Sequence, residues 1–106
     1  MGLFRQTYYW RYKMIHLVDN EELTLQYREN FGAWTYFIQI PGTQDLKGRW
    51  GSMKVSGTLD EYILKNHNLA PRTDEDYLIS INKKIRDQLN KKPGDKILVN
   101  LWLDIL

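Results

Sequence analysis

The chain has 106 residues and no cysteine, with 42% hydrophobic and 26% charged residues, and its 15 basic and 13 acidic side chains give a net charge of +2. This length predicts one domain, and this composition excludes a disordered chain and a disulfide framework. No apolar run approaches the roughly 20 residues needed to span a membrane, and basic residues interrupt the aromatic N-terminus, unlike a signal peptide. We therefore expect a single cytoplasmic domain over residues 1–106.

In the first third of the chain, alternation of aromatic or apolar residues with polar ones predicts strands. Three strands follow from this alternation, over residues 8–17, 23–28 and 34–40, and a helix is the alternative for residues 8–17. The polar residues 19–22 predict a break between the first two strands. Residues 29–32 are typical of a hairpin loop, so the second and third strands should be neighbours.

The middle of the chain predicts one helical turn, one strand and a long loop. Residues 43–48 can form the turn, and residues 50–57 form a strand in which Gly57 marks a bulge or bend. Residues 59–64 extend this strand or pair with it. Residues 65–76 are polar with a central proline, which predicts a loop.

The last part of the chain predicts a strand, a helix and a final strand. Residues 77–81 form the first strand, and Asn82 is a suitable N-cap for a helix over residues 82–90. The apolar stripe on this helix consists of Ile81, Ile85 and Leu89. A Pro-Gly turn over residues 92–95 then leads to a strand whose inward face is Ile97, Val99, Leu101 and Leu103.

The two parts of the chain share a weak internal repeat. FIQIP followed by a strand ending in VSGTLD (residues 37–60) resembles YLISIN followed by a strand ending in VNLWLD (residues 77–104). A half of this kind cannot bury its apolar face alone, so two halves would close on each other. The predicted fold is therefore mainly β: a small closed or double-split β-barrel of two pseudo-repeated halves, with one short helix at about 82–90.

The order of these segments resembles a small bacterial family catalogued as domain of unknown function 1905. The resemblance rests on WTYFIQIP (34–41), GRWGSMKVSGTLD (48–60) and the segment from residue 69 to residue 104. It covers about residues 23–104, so residues 1–22 would be an N-terminal extension, and it departs from the family at Glu61, where glycine is usual. The resemblance implies a double-split β-barrel, distantly like those of transition-state regulators and antitoxins, and it implies no catalytic residues.

Two sets of residues are candidates for binding. Aromatic residues exceed what one face of a small core needs, so some should be exposed and could anchor a ligand or a protein. This set is Trp10, Trp34 and Trp50, with Arg49 next to Trp50 in the sequence. The second set is basic, lies between residues 83 and 96, and could contact phosphates. It consists of Lys83, Lys84, Arg86, Lys91 and Lys92, although lysines near a helix C-terminus also stabilise the helix dipole.

These observations favour a non-enzymatic binding module. Its first expected partner is a protein or small ligand, bound through the aromatic surface or the barrel mouth. The alternative is a nucleic acid bound by the basic set, and an enzyme of unknown reaction is the third hypothesis. No catalytic set, metal site, cofactor or membrane contact is predicted, and we expect a monomer or a weak homodimer.

Overall fold

The computed structural model describes residues 14–46 and 53–104 of the chain. Within these residues the fold is mainly β with one short α-helix. The strands are β1 (Met14–Thr24), β2 (Gln26–Tyr27), β3 (Tyr36–Gln39), β4 (Met53–Leu59), β5 (Tyr62–Leu69), β6 (Leu78–Ser80) and β7 (Lys96–Asp104). The helix is α1 (Lys83–Leu89), and two 3₁₀ turns cover Gly32–Trp34 and Thr43–Asp45. No helix among the described residues is long and apolar enough to cross a membrane.

The strands form two antiparallel sheets. The large sheet has the strand order β1-β7-β4-β5, and the small sheet has the order β2-β3-β6. An isolated bridge between Ala70 and Leu78 joins the two sheets on one side. On the other side, Leu25 N donates to Asp95 O at 2.9 Å and Leu25 O accepts from Gly94 N at 2.8 Å. The ladders of the described strands do not close into a barrel, so the predicted closed barrel is not confirmed.

One apolar core is shared by the two sheets. Ile38 and Ile79 contribute to it from the small sheet, and Val55 and Leu59 contribute from the large sheet. Each of these four side chains is at most 1% exposed to solvent. The predicted inward face of β7 is confirmed, since Ile97, Val99, Leu101 and Leu103 are all buried. Burial of a side chain of this size stabilises the fold by about 1.5–3 kcal/mol, so the core is the main cohesive element.

The predicted polar break after the first strand is wrong. β1 continues through residues 19–22, and its register against β7 shifts between Val18 and Glu21. Asn20 lies within this shift with a φ of 53°, a left-handed conformation that asparagine tolerates better than most residues. The bulge therefore accommodates the polar residues without ending the strand.

Two further predictions of strand limits are wrong. Trp34 lies in a 3₁₀ turn rather than in a strand, and Thr35 stabilises this turn through its hydroxyl, which donates to Gly32 O at 2.7 Å. Residues 65–69, predicted as a loop, belong to β5. A register shift between Val55 and Gly57 places one extra residue in β5, opposite Ser56, where Asn66 has a φ of 48°. The irregularity therefore lies next to Gly57, but the bulged strand is β5 and not β4.

The predicted helix and the turn after it are confirmed. The Asn82 side chain accepts a hydrogen bond from Ile85 N at 2.9 Å, a cap that contributes about 1 kcal/mol. The helix ends at Asn90, which has a φ of 57°, and Gly94 has a φ of 97° in the following turn. Ile85 and Leu89 are buried in the core, so α1 packs against the sheets through its apolar stripe.

The pairing of strands relates the two similar parts of the chain. β3 pairs with β6, and β4 pairs with β7, both antiparallel. Ile38 faces Ile79, and Gly57 faces Leu101. These are also the residues that become equivalent when VSGTLD is aligned with VNLWLD and the Ile-polar-Ile segments 38–40 and 79–81 are aligned.

Candidate functional site

Only one of the four residues predicted to bind a ligand lies within the described residues. Trp34 is half-buried, and its backbone N–H donates to Phe31 O at 3.1 Å. Trp10, Arg49 and Trp50 lie outside the described residues. The aromatic set as a whole therefore stays a prediction.

The basic residues of the alternative nucleic-acid surface are mostly paired with carboxylates. Three ion pairs involve them: Lys83–Asp87 at 2.9 Å, Lys91–Asp60 at 3.6 Å and Lys92–Asp95 at 3.6 Å. Lys84 is exposed and has no ion pair with any described residue. Since each carboxylate offsets a positive charge, the field of this surface is weaker than its five basic residues suggest.

The Arg86 guanidinium group is already bound to other parts of the protein. Its Nη1 donates to Ile81 O at 2.8 Å, and its Cζ lies 3.6 Å from the ring centroid of Tyr36. The side chain therefore fastens the start of α1 to β3. Reading of a base edge would require this guanidinium to leave both partners.

The turn before β7 contains the one carboxyl group among the described residues whose pKa is clearly displaced. Lys92 N donates to Asp95 Oδ2 at 2.9 Å. This backbone hydrogen bond, together with the charges of Lys92 and Lys91, lowers the pKa of Asp95 from its ordinary value of 3.8. Asp95 therefore acts as a local turn-stabilising group.

A shallow depression of about 610 Å³ lies between the β4–β5 turn and α1, with Asp60, Tyr62 and Leu98 in its lining. The Asp60 carboxylate is occupied, because its Oδ1 accepts from Leu98 N at 2.8 Å and its Oδ2 pairs with Lys91. No three described His, Asp or Glu side chains are grouped to hold a metal ion. The depression therefore offers little free polar chemistry.

Two other arginines lie on the small sheet, against phenylalanine rings. Arg28 Cζ is 4.7 Å from the ring centroid of Phe31 and 5.1 Å from that of Phe37. Arg72 Cζ is 4.8 Å from the same Phe31 centroid. The two rings meet edge to face, with centroids 6.0 Å apart and planes inclined by 65°. We call these four residues the Arg–Phe cluster.

Two loops hold the Arg–Phe cluster. Arg28 and Phe31 belong to the hairpin between β2 and β3, which closes where Arg28 N donates to Thr35 O at 2.8 Å. Arg72 belongs to the loop before β6. Gln39 fastens that loop to β3, since its Nε2 donates to Glu75 Oε1 at 2.9 Å and to Asp76 O at 3.1 Å. Both arginines are therefore attached to the small sheet through short, hydrogen-bonded segments.

The positive charges of this cluster are less completely neutralised than those of the basic residues between 83 and 96. Arg28 is exposed and has no ion pair with a described residue. Arg72 Nε lies 3.7 Å from Glu75 Oε2, and the atom is buried without a hydrogen-bond partner. A contact of this length between side chains that are 31% and 36% exposed contributes little, about 0–1 kcal/mol.

Comparison with known proteins gives one match. Residues 24–101 match the family described as Domain of unknown function (DUF1905). The chain belongs to this family. No curated protein and no solved structure matches the chain. The resemblance seen in the sequence is thus confirmed, and the function has to be argued from the residues.

In this DUF1905 chain, the Arg–Phe cluster can bind an oxyanion. A guanidinium group is planar and presents its N–H donors around its edge, so stacking on a ring leaves donors free for a carboxylate or phosphate. The cation–π contacts stabilise each arginine by about 0.5–2 kcal/mol. The Phe31 ring therefore positions two guanidinium groups, each with donors left for an anionic group.

Sequence reasoning missed the Arg–Phe cluster because its members are far apart in the chain. Arg28 and Phe31 are three residues apart, but Arg72 joins them only through the packing of two loops. The residues predicted to bind were tryptophans with Arg49 and the basic residues between 83 and 96, and neither set contains Arg28 or Arg72. The short Arg-x-x-Phe spacing within a predicted hairpin was the one local signal available.

Proposed function

We propose that this DUF1905 chain is a binding module that holds a carboxylate or phosphate group of a protein or small ligand at the Arg–Phe cluster. The observation that carries this proposal is the position of Arg28 and Arg72, whose Cζ atoms lie 4.7 and 4.8 Å from one ring centroid. Their donors have one weak carboxylate contact among the described residues.

Pre-organisation supports the same proposal. A free arginine loses side-chain entropy when it binds an anion. In this cluster, contacts with the Phe31 ring already restrict Arg28 and Arg72, and both loops are fixed to β3 by hydrogen bonds. A ligand therefore meets donors that are close to their bound arrangement.

A protein or small ligand fits this surface better than a nucleic acid. Nucleic-acid affinity depends on several phosphate contacts along a strand. Three of the five basic residues predicted to contact phosphates, Lys83, Lys91 and Lys92, are ion-paired with carboxylates. Two arginines at one ring offer too few positive charges for a track of phosphates, but their free donors suit an isolated oxyanion.

We further propose that the two sheets form a double-split barrel of two pseudo-repeated halves. The support is that Ile38 faces Ile79 and that Gly57 faces Leu101, which are equivalent positions in the two halves. Residues of both sheets also contribute to one core. The proposed location is the cytoplasm, in keeping with a cysteine-free chain. The proposed oligomeric state is a monomer or a weak homodimer.

The test is a titration of the ¹⁵N-labelled chain followed by NMR. The probes are a tetraglutamate peptide and inorganic phosphate, and a tetraglutamine peptide is the neutral control. We expect saturable shifts of amide signals at Arg28, Phe31 and Arg72 with an anionic probe only. Arg28→Gln or Arg72→Gln should weaken binding at least tenfold, since a hydrogen bond to a charged group contributes about 1.5–3 kcal/mol.

Lys84→Gln is the matched control, because it removes one exposed positive charge on α1 without touching the cluster. We expect its affinity for the anionic probe to stay within about twofold of wild type. Arg28→Lys keeps the charge but loses the planar fork, so it should bind between wild type and Arg28→Gln. Equal losses in Arg28→Gln and Lys84→Gln, or no saturable shift with either anion, would overturn the proposal. Retention on duplex DNA that falls with Lys84→Gln alone would instead favour the nucleic-acid alternative.

A further inference from the structure

The face of the large sheet that points away from the core carries a row of three residues from three strands. His16 of β1 pairs with Trp102 of β7, and Trp102 pairs with Ser56 of β4. Side chains of directly paired residues lie on the same side of a sheet. The row therefore runs from an imidazole through an indole to a small hydroxymethyl group, and it lies on a different sheet from the Arg–Phe cluster.

The indole of Trp102 stacks on the imidazole of His16, its neighbour on β1. The rings of His16 and Trp102 are stacked, with centroids 3.8 Å apart and planes inclined by only 5°. His16 Nε2 lies 2.7 Å from Asn100 Oδ1, and because a carboxamide oxygen only accepts, Nε2 carries the proton. His16 thus covers one face of the indole, and the other face is on the side of β4.

On the β4 side of Trp102, the row provides space. Ser56 has the shortest side chain in the row. Its Oγ donates a hydrogen bond to Asp104 Oδ2 at 2.8 Å and accepts one from Asn66 N at 3.1 Å. Neighbouring strands are about 4.8 Å apart, so β7 and β5 are separated by about 10 Å across β4. The space above Ser56 therefore adjoins the face of the half-buried Trp102 indole that His16 does not cover. We call this space the Trp102 slot.

Amide groups stand at both ends of the Trp102 slot. At one end, Asn100 uses its Oδ1 for His16, which leaves its NH₂ group as a donor. At the other end, Asn68 uses its Oδ1 to accept from Lys54 Nζ at 2.7 Å, which also leaves its NH₂ group. Asn68 is exposed and Asn100 is half-buried. Both ends therefore offer neutral donors that a bound molecule can reach.

We propose that the Trp102 slot binds one pyranose ring of a neutral saccharide. A pyranose has a face of C–H groups that packs on an electron-rich indole, and its hydroxyls accept and donate around the rim, where the two NH₂ groups lie. A nucleotide fits less well, because the Asp104 carboxylate and the Lys54 ammonium beside the slot offset each other and so do not favour a phosphate. The site has no opposite aromatic wall among the described residues to sandwich a base.

The test is a titration of the ¹⁵N-labelled full chain with maltotetraose, cellotetraose and chitotetraose, followed through the indole N–H signal of Trp102. We expect at least one of these saccharides to give a saturable shift of this signal. Trp102→Ala should abolish the binding. Ser56→Leu, which fills the slot and keeps the indole, should weaken it at least tenfold, whereas Ser56→Ala should stay within about threefold of wild type.

Thermal unfolding of each variant shows whether it is folded before its affinity is compared. Arg28→Gln should leave saccharide binding unchanged, because the Arg–Phe cluster lies on the other sheet. No saturable shift with any of the three saccharides at 20 mM would overturn the proposal. Unchanged binding by folded Ser56→Leu, or a saturable shift with adenosine monophosphate alone, would also overturn it.

Discussion

The first half of the described fold, from β3 to β4, and the second half, from β6 to β7, contain the same order of strand, connector and strand. At the middle of the β3–β6 pair, two isoleucines face each other, Ile38 and Ile79. At the middle of the β4–β7 pair, a glycine faces a leucine, Gly57 and Leu101. The two halves therefore keep identical residues at one contact and very different residues at the other.

The difference has a steric cause. A Cβ atom added to Gly57 would lie 1.9 Å from Asn100 O, and Gly57 has a φ of 153°. Leu101, in contrast, is completely buried in the core. Where β4 and β7 approach closely, only one of two equivalent positions can carry a side chain. Similar halves must diverge at such a contact, whereas Ile38 and Ile79 have room to stay alike.

The largest effect should come from giving Gly57 a side chain. We expect Gly57→Ala to lower the free energy of unfolding by about 3–5 kcal/mol, because overpacking against a backbone oxygen adds to a strained φ. Urea denaturation measures this loss. Gly42→Ala is the control, since Gly42 also has a positive φ of 79° but no atom within 4 Å of an added Cβ, and it should cost about 1–2 kcal/mol. Equal losses in the two variants would contradict the steric argument.

A smaller loss of stability should distinguish the segment between β3 and β4 from the segment between β6 and β7. Thr43 is 1% exposed, and its Oγ1 donates to Ile40 O at 2.6 Å and accepts from Tyr77 N at 2.7 Å. We expect Thr43→Val to cost about 2–3 kcal/mol, because it leaves buried backbone groups without partners.

In the second half, Asn82→Ala removes only an exposed helix cap and should cost about 1 kcal/mol. Urea denaturation of both variants compares the connectors. A cost for Asn82→Ala that equals or exceeds that of Thr43→Val would show that the two connectors are secured to a similar extent.

The proposed equivalence of the halves is tested at the isoleucine pair. Ile38 and Ile79 are both fully buried. We expect Ile38→Val and Ile79→Val each to cost about 1 kcal/mol, because each deletes one methyl group from the core. Chemical denaturation should place the two values within about 0.5 kcal/mol of each other. A difference larger than this would show that the core around the pair is not symmetric.

The smallest expected effect is a pH dependence of the free energy of unfolding, caused by Asp95 in the second half. The pKa of Asp95 is lowered below 3.8 by its hydrogen bond from Lys92 N, so the folded state favours the carboxylate. The stabilising contribution is complete above the unfolded pKa and is lost as the pH falls below it. The stability difference between wild type and Asp95→Asn should therefore narrow as the pH is lowered from about 5 to about 2.5. A constant difference over this range would rule out the titration of Asp95 as its cause.

The elements that the sequence predicted well depend on local signals. Asn82 and the apolar spacing of Ile85 and Leu89 defined α1, and the alternation in β7 defined its buried face. Strand limits failed where a polar residue adopts an unusual backbone conformation. Asn20 and Asn66, with φ values of 53° and 48°, lie in strand irregularities that sequence pattern alone assigned to a break and a loop.

The candidate sites were much harder to predict than the strands. Arg72 meets Phe31 only because two loops pack over β3. His16 meets Trp102 only through the pairing of β1 with β7. Such contacts join residues that are distant in the chain, so no local periodicity indicates them. Lys91 illustrates the opposite error, since the carboxylate that offsets its charge, Asp60, is also distant in the chain.

The position of β7 has a consequence for synthesis of the protein. β7 lies between β1 and β4, which do not pair with each other, yet it follows both of them in the chain. Because translation proceeds from the N-terminus, β1 and β4 leave the ribosome before the strand that joins them exists. The large sheet can form only after residue 104 has cleared the exit tunnel. A pause in translation before β7 would leave two strands with open edges, which are the regions most prone to pair with other chains.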